Sequence, residues 1–265
     1  MQMPLNTFKR ALSSGKTQIG LFLGLANAYT AEIVATAGFD WLLIDGEHGP
    51  NDLRSILAQL QALASYPAHV VVRTVDHDPA RIKQLLDAGV QTLMVPMVES
   101  AAQARALVSA MHYPPTGIRG VGTAMARAAR WNGVKDYFGQ ADREMCLIVQ
   151  IESTAGLAAL DELLGIADVD AVFIGPSDLA ASMGHLGQPG HPDVIAAVRG
   201  AIQKIAAAGK AAGVFSADPA VAANYQSIGA NFLLVGVDAL LLRNSAVALA
   251  DKFKPAETAK SGAAY

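Results

Sequence analysis

Short apolar runs alternate with stretches of helical periodicity along most of the chain. The runs predict eight strands, at residues 17–23, 41–45, 70–74, 92–97, 146–151, 171–175, 211–215 and 232–235. Helical patterns cover 30–36, 52–63, 101–110 and 192–208, and another helix begins at Asp78-Pro79, with aspartate as the cap and proline in the first turn. This regular alternation predicts a single (β/α)8 barrel, a TIM barrel, over residues 1–254. A doubly wound open sheet is the alternative, but such a sheet rarely contains eight repeats this regular.

Three segments depart from the alternation. Residues 1–16 have the pattern of an amphipathic helix. Residues 112–139 form a stretch longer than an ordinary loop, which predicts a functional lid or a partner contact. Residues 255–265 are rich in alanine, serine, glycine and lysine, and this composition predicts a mobile tail.

Composition narrows the class of protein. The 265 residues carry a net charge of −3, which gives no electrostatic reason for binding nucleic acid or an anionic membrane. The apolar runs are shorter than the roughly 18 residues of a membrane span, and the N-terminus lacks the apolar core of a signal peptide. The single cysteine, Cys146, excludes an intramolecular disulfide and favours a cytoplasmic location. Since Cys146 begins an apolar strand, we expect it in the core.

Polar side chains follow several of the predicted strands. In the segment FDWLLIDGEHGPND, a buried strand ends in acids, a histidine and glycine. The carboxyl ends of barrel strands meet at one mouth, where the catalytic residues of such barrels lie. We therefore expect the following residues to converge there: Asp45, Glu47, His48, Arg73, Gln150, Glu152, Ser177 and Asp178.

Carboxylates crowded into a mouth repel one another and lose hydration unless a cation neutralises them. Oxygen donors favour a hard divalent ion, so we expect Mg²⁺, Mn²⁺ or Co²⁺ on Glu152 and Asp178, which leave neighbouring strands. Simpler structural roles remain open. Glu152 could cap the following helix, Asp178 could be a first-turn acid, and Asp45 could only orient Arg73 or His48. Glu47 could be a solvated turn residue.

The segment Gly175-Pro176-Ser177-Asp178 predicts a tight turn into a helix, where free backbone N–H groups can bind a carboxylate. A metal on one side and these amides on the other would hold a 2-oxo acid. Arg73 would then neutralise the enolate that forms when an electrophile leaves C3. Four histidines outside the mouth are predicted to be solvated, and these are His69, His77, His185 and His191.

Five segments together resemble the HpcH/HpaI class II pyruvate aldolases over about residues 6–252: FDWLLIDGEHGPND, RIKQLLDAGVQTLMVPMVES, YPPTGIRGVG, LIVQIES and VFIGPSDL. The resemblance implies cleavage of a 4-hydroxy-2-oxo acid, such as 4-hydroxy-2-oxoheptane-1,7-dioate, to pyruvate and an aldehyde, such as succinic semialdehyde. The expected setting is aromatic catabolism. It also implies a homohexamer, a trimer of dimers in which the last helix swaps between neighbours.

The resemblance further assigns roles by position. It implies a divalent metal on Glu152 and Asp178, in agreement with the choice from the residues alone. Arg73 would contact the keto oxygen, and His48 would carry acid–base chemistry with Asp45 in support. Asp87 would be the carboxylate partner of His48. Gln150 would line the site, and the amides around Ser177 would receive the pyruvate carboxylate.

Three other functions compete with this reading. A sister aldolase for 2-keto-3-deoxy sugar acids, or one that uses hydroxypyruvate as donor, would share the whole set of residues. A Schiff-base aldolase would need a desolvated lysine in the mouth, but Lys83 and Lys204 fall on helices, Lys210 precedes a strand, and Lys135 lies in the long segment. A non-catalytic barrel that binds 2-oxo acids is the remaining alternative.

Overall fold

The computed structural model describes residues 1–254, so the tail predicted to be mobile lies outside the described residues. Eight parallel strands close into a barrel in the order β1 to β8. Their bounds are β1 Gln18–Leu23, β2 Trp41–Asp45, β3 His69–Arg73, β4 Thr92–Val95, β5 Cys146–Ile151, β6 Ala171–Ile174, β7 Ala211–Phe215 and β8 Ala230–Val237. The predicted (β/α)8 fold is confirmed.

Helices connect the strands and form the outer layer. They are α1 Thr7–Ser13, α2 Ala28–Ala35, α3 Leu53–Ala62, α4 Pro79–Ala88, α5 Ala101–Met111, α6 Tyr137–Gln140, α7 Thr154–Ala158, α8 Leu160–Leu164, α9 Pro176–Ser182, α10 Pro192–Ala207, α11 Pro219–Ser227 and α12 Asp238–Asp251. Apart from the shorter N-terminal helix, predicted bounds agree with the structure to within two residues. No helix among residues 1–254 is long and apolar enough to cross a bilayer.

The interior of the barrel is filled with large side chains. Trp41, Phe173 and Phe232 are buried there, together with Cys146, which confirms its predicted place in the core. Gly20 faces the indole of Trp41, and a Cβ at this position would collide with the ring. The glycine thus makes room for the tryptophan on the neighbouring strand.

Helix α1 closes the N-terminal face of the barrel. The ring of Phe8 lies 5.3 Å from that of Trp41 and 6.3 Å from that of Phe232. Glu144 anchors the helix, because Arg10 Nη2 donates to its Oε1 at 2.8 Å and the backbone N–H of Asn6 donates to its Oε2 at 2.6 Å. The hydrogen bond from Arg10 is the main reason that the pKa of Glu144 lies below its ordinary value.

The long segment 112–139 lies at the same N-terminal face, because it connects the end of α5 to the start of β5. The side chain of Arg127 donates to the carbonyl of Ala88 at 2.9 Å, and the N–H of Lys135 donates to the carbonyl of Met1 at 3.1 Å. The prediction of a lid is therefore wrong within one chain, since the segment lies opposite the carboxyl ends of the strands. A partner contact stays a prediction.

Asp238 joins the two strands at the closure of the barrel. It is buried, and its carboxylate accepts from the N–H groups of Gly24 at 2.8 Å and Leu25 at 3.2 Å, directly after β1. This contact fixes the ends of β1 and β8 at the mouth where the predicted site residues lie.

Candidate active site

A cavity of about 420 Å³ opens at the carboxyl ends of the strands. Most of the residues predicted from the strand ends line it. These are Asp45, His48, Arg73, Gln150, Glu152, Gly175, Pro176, Ser177 and Asp178. The structure therefore brings together side chains that are more than a hundred residues apart in the sequence.

Arg73 and Asp45 form a buried, two-pronged ion pair. They are register partners on β3 and β2, and Arg73 donates from Nε to Asp45 Oδ1 at 2.8 Å and from Nη2 to Oδ2 at 2.7 Å. Burial by itself would raise the pKa of Asp45, but the hydrogen bonds and charge of Arg73 outweigh it and hold that pKa below its ordinary value. The guanidinium carbon also lies 5.1 Å from the centre of the Phe22 ring. The side chain of Arg73 is thus fixed at the cavity wall.

Glu47 and His48 occupy the turn after β2. Glu47 Oε2 lies 2.8 Å from Arg73 Nη1, so Glu47 is an ion-pair partner, not a solvated turn residue. Burial raises the pKa of the Glu47 carboxyl, and the charges of Asp45 and Asp178 add to this shift. The side chain of His48 is 68% exposed and lies 4.0 Å from Glu47. Its imidazole is therefore accessible to a ligand in the cavity.

Glu152 is held in a defined orientation just beyond β5. Its Oε1 accepts from the N–H of Met97 at 2.9 Å, and its Oε2 accepts from Gln150 Nε2. Gly175 packs against this carboxylate, and a Cβ there would lie 2.6 Å from Oε2. Ser153, not Glu152, caps α7, since the hydroxyl of Ser153 accepts from the N–H of Gly156 at 3.1 Å. The capping role considered for Glu152 is therefore wrong.

The electrostatics of the cavity favour a bound cation. The pKa of Glu152 is raised to about 6, mainly by burial; the charges of Glu47 and Asp178 contribute to this rise, and the hydrogen bonds from Met97 and Gln150 oppose it. Gln150 Oε1 is buried without a hydrogen-bond partner among the described residues. Carboxylate and amide oxygens are the donors that a hard divalent ion prefers. The residues present thus fit a divalent metal on Glu152 and Asp178.

The start of α9 supplies backbone donors on the other side of the cavity. The N–H groups of Ser177 and Asp178 precede the first complete turn, so the helix offers no acceptor for them. Pro176, at the first helical position, has no N–H to place there. Ser177 and Asp178, which carry these two amides, line the same cavity as Glu152 and Arg73.

Asp87 is not part of this cavity. It lies near the end of α4, at the opposite face of the barrel from His48, and its Oδ1 accepts from Arg119 Nη2 at 3.1 Å. Arg119 is fully buried, and its guanidinium carbon lies 4.5 Å from the centre of the Tyr113 ring. The structure thus places the predicted His48 and Asp87 partners apart within one chain.

Aromatic and apolar residues that were not predicted from the sequence complete the cavity. Phe22, Phe173 and Phe215 lie at or near the ends of β1, β6 and β7 and line the site, as does Val237 at the end of β8. The residues predicted at the strand ends were all polar apart from those of the Gly175-Pro176 turn. Applied to every residue type, the same positional rule would have found these aromatic rings.

No lysine among residues 1–254 lines the cavity. Lys210 Nζ donates to the carbonyls of Ile166 at 2.9 Å and Val169 at 2.6 Å, at the start of β7. Lys204 pairs with Asp161 at 2.7 Å on the outer surface. The chain's own residues therefore do not support a Schiff-base mechanism.

The fold and the polar cavity at the carboxyl ends of the strands are those of a (β/α)8-barrel enzyme. The family model described as HpcH/HpaI aldolase/citrate lyase matches residues 18–245. The chain belongs to this family.

Individual relatives agree with the family match. A hydroxypyruvate/pyruvate aldolase of Pseudomonas aeruginosa is 59% identical over 264 residues, which cover 98% of each chain. A 4-hydroxy-2-oxo-heptane-1,7-dioate aldolase of Salmonella dublin is 55% identical over 97% of this chain and 98% of its own. The crystal structure of an HpcH/HpaI aldolase/citrate lyase family protein from Burkholderia cenocepacia J2315 superposes with a TM-score of 0.89 at 38% identity, covering 94% of this chain and all of the other.

Proposed function

We propose that this protein is a metal-dependent class II aldolase that reversibly cleaves 4-hydroxy-2-oxo acids to pyruvate and an aldehyde. The observation that carries the proposal is one cavity that combines two carboxylates, a fixed guanidinium and two free amides. A divalent cation on Glu152 and Asp178, either Mg²⁺, Mn²⁺ or Co²⁺, would supply Lewis-acid polarisation of the 2-oxo group.

The chain's own groups bind and orient the substrate. The amides of Ser177 and Asp178 receive the substrate carboxylate, and Arg73 donates to the keto oxygen. When C3–C4 breaks, its electron pair passes to the enolate of pyruvate and the C4 oxygen becomes the aldehyde carbonyl. Arg73 stabilises the negative charge that develops on the enolate oxygen, because Asp45 already holds the guanidinium in place. Protonation at C3 then gives pyruvate.

His48 is the acid–base residue in this proposal. Its exposed imidazole lies at the open side of the cavity, where it can accept the C4 hydroxyl proton directly or through water. Asp87 can partner His48 only from a second copy of the chain, since the two lie at opposite faces of one barrel. The pairing of His48 with Asp87 therefore requires that the protein is an oligomer.

An oligomer is supported by the last helix. In α12 the side chains of Leu240, Leu241, Leu242 and Leu249 are all more than half exposed. Within α12, the structure buries Asp238 alone among residues 238–251. Exposed leucines in a row are typical of an interface, and we propose a homohexamer, a trimer of dimers in which α12 packs on a neighbouring chain.

Hydroxypyruvate is a second candidate donor. Two relatives, at 59% and 61% identity, are named hydroxypyruvate/pyruvate aldolases. The chain has a serine at position 177, next to the proposed carboxylate site, and its hydroxyl could contact the extra hydroxyl of hydroxypyruvate. Sister substrates such as 2-keto-3-deoxy sugar acids would use the same metal and amide contacts.

The test is pyruvate release from racemic 4-hydroxy-2-oxo acids of different chain length. Chelator-treated protein is assayed alone, with Mg²⁺ or Mn²⁺, and with borohydride. Release that needs metal supports the proposal. Release that persists without metal and stops with borohydride would overturn it in favour of a lysine. The absence of release with every substrate, while 2-oxo acids still bind, would indicate a binding protein.

A further inference from the structure

One residue beside the cavity has an unusual backbone conformation. Met97, in the loop after β4, has a φ angle of 52°, in the left-handed region that residues other than glycine seldom occupy. Its side chain is 43% exposed, so side-chain packing does not account for this conformation. Its N–H group donates to Glu152 Oε1 at 2.9 Å. The strained backbone thus directs an N–H group at a carboxylate of the candidate site.

A histidine holds the other side of the same peptide group. The carbonyl of Pro96 and the N–H of Met97 belong to one peptide bond, and His77 Nε2 lies 2.6 Å from the carbonyl oxygen. Because a carbonyl oxygen can only accept, Nε2 carries the hydrogen and donates it. A peptide group is planar, so a hydrogen bond that fixes its C=O also fixes the direction of its N–H. The peptide therefore connects His77 to Glu152.

The loop that carries His77, between β3 and α4, is held by its own hydrogen bonds. The N–H of Asp78 donates to Asp76 Oδ1 at 3.0 Å, and Asp78 Oδ1 caps α4 by accepting from the N–H of Ala80 at 2.8 Å. His77 lies between these two aspartates and is half-buried, so the prediction that it is solvated is wrong. The other histidines predicted to be solvated are also partly shielded, and these are His69, His185 and His191.

The carboxylate of Glu152 depends on this peptide for one of its two hydrogen bonds. Glu152 is buried, and its oxygens accept one bond from Met97 and one from Gln150. The N–H of Val98 donates to the carbonyl of Gln150 at 3.1 Å, which ties the far side of the loop to β5. Without the bond to His77, the peptide between Pro96 and Met97 could rotate away from Glu152.

We propose that His77 is a positioning residue, which orients the carboxylate of Glu152 through the peptide between Pro96 and Met97. The inference rests on the proposed role of Glu152 as a metal ligand. His77 does not line the cavity, so it acts without contact to the substrate. A donor on the carbonyl also polarises the peptide, which strengthens the hydrogen bond that its N–H donates. Such outer hydrogen bonds keep a metal-binding carboxylate in one geometry.

The experiment measures the affinity of untagged, chelator-treated full-length protein for Mn²⁺, from the electron paramagnetic resonance signal of the free ion. Three substitutions of His77 separate reach from shape. His77→Gln places an amide nitrogen about as far from Cβ as Nε2, whereas the amide of His77→Asn is one bond shorter. His77→Phe keeps a ring but has no donor. His112→Phe, at the opposite face of the barrel, is the matched control.

We expect His77→Phe and His77→Asn to bind Mn²⁺ about tenfold more weakly than the original protein, as for the loss of other outer-shell partners. His77→Gln should bind almost as tightly as the original protein, because its amide can donate to the carbonyl of Pro96. His112→Phe should leave the affinity unchanged. Thermal unfolding without metal should show every variant folded at the assay temperature, since His77 lies outside the core.

Two outcomes would overturn the role of His77 alone. One is Mn²⁺ affinity in His77→Phe and His77→Asn equal to that of the original protein, and the other is His77→Gln as weak as His77→Phe. Glu152→Gln distinguishes these from a failure of the proposed function. Unchanged Mn²⁺ affinity in Glu152→Gln would show that the ion does not bind this carboxylate, and both proposals would then be wrong.

Discussion

At the scale of single residues, the site depends on buried charges that hold one another in place. Arg73 is 6% exposed and makes two hydrogen bonds to Asp45 and an ion pair with Glu47. Glu152 is 3% exposed and shares the cavity with Asp178. Such groups are sensitive to changes that keep the charge but alter its geometry.

Arg73→Lys retains the positive charge but cannot form the two-pronged pair with Asp45. We expect kcat/KM for pyruvate release to fall about 10²-fold, as for the loss of one donor to a developing oxyanion. Steady-state kinetics measures this. Arg81→Lys is the control, because Arg81 is an exposed residue with a long contact of 3.3 Å to Asp76. Equal activity in both variants would contradict the role of Arg73.

The raised pKa of Glu152 predicts a pH-dependent affinity for metal. A proton and a cation compete for this carboxylate, so acid weakens binding. The apparent affinity for Mn²⁺ should be constant well above pH 6 and fall below the pKa of about 6 by about tenfold per pH unit. Titrations of Mn²⁺ from pH 5 to pH 8 measure it. Glu152→Gln should bind Mn²⁺ more weakly at every pH and lose the fall near pH 6, whereas Glu162→Gln, on the outer helix α8, should alter neither the affinity nor its pH dependence.

At the scale of secondary structure, α1 closes the N-terminal face of the barrel. Phe8 and Leu12 join the cluster inside the strands, and Glu144 fixes the start of the helix. Short helices gain most of their stability from such tertiary contacts. The helix and the barrel interior should therefore unfold together.

Phe8→Ala removes a ring that packs between Trp41 and Phe232. We expect the free energy of unfolding to decrease by about 3 to 5 kcal/mol, as for other large-to-small changes in cores. Denaturant titration measures it. Leu186→Ala is the control, since Leu186 is 79% exposed and its truncation leaves no cavity. A decrease in the free energy of unfolding of less than about 1 kcal/mol for Phe8→Ala would show that the packing of α1 inside the barrel contributes little to stability.

The ion pair of Arg10 and Glu144 predicts a stability difference that depends on pH. The folded-state pKa of Glu144 lies below its ordinary value, so its ionised form stabilises the fold above that ordinary value, and the contribution is lost as pH falls through the folded-state pKa. Glu144→Gln should be less stable than the original protein near pH 7. The difference should shrink as the pH falls below about 4.5. Thermal unfolding of both proteins at several pH values checks this, and an unchanged difference would contradict it.

At the scale of the whole molecule, a single chain leaves two features without an explanation. The leucines of α12 are exposed, and Asp87 lies at the opposite face from His48. Assembly of several chains would account for both, because it buries the leucines and can bring a partner's aspartate to the mouth.

Two substitutions on α12 test the assembly. A change of Leu241 and Leu249 to glutamate puts charges in the proposed interface. We expect the original protein to have a molar mass several times the 27.5 kDa of one chain in light scattering, and the double variant to be smaller and less active. Leu186→Glu, on an exposed loop, is the control. A single-chain mass for the original protein would disprove the hexamer.

The alternation of apolar runs and helices determined the barrel, because strand length and burial follow from local periodicity. Arg73, Glu152 and Asp178 lie at or shortly after the carboxyl ends of their strands, and this position in the sequence predicted that they meet at one mouth, since all parallel strands end there. Asp87 lies at the opposite face of the barrel from His48, and segment 112–139 lies at the N-terminal face. Both positions depend on the direction in which each helix runs back along the outside of the barrel. Only the tertiary structure decided these points, because contacts across elements are not encoded in local sequence spacing.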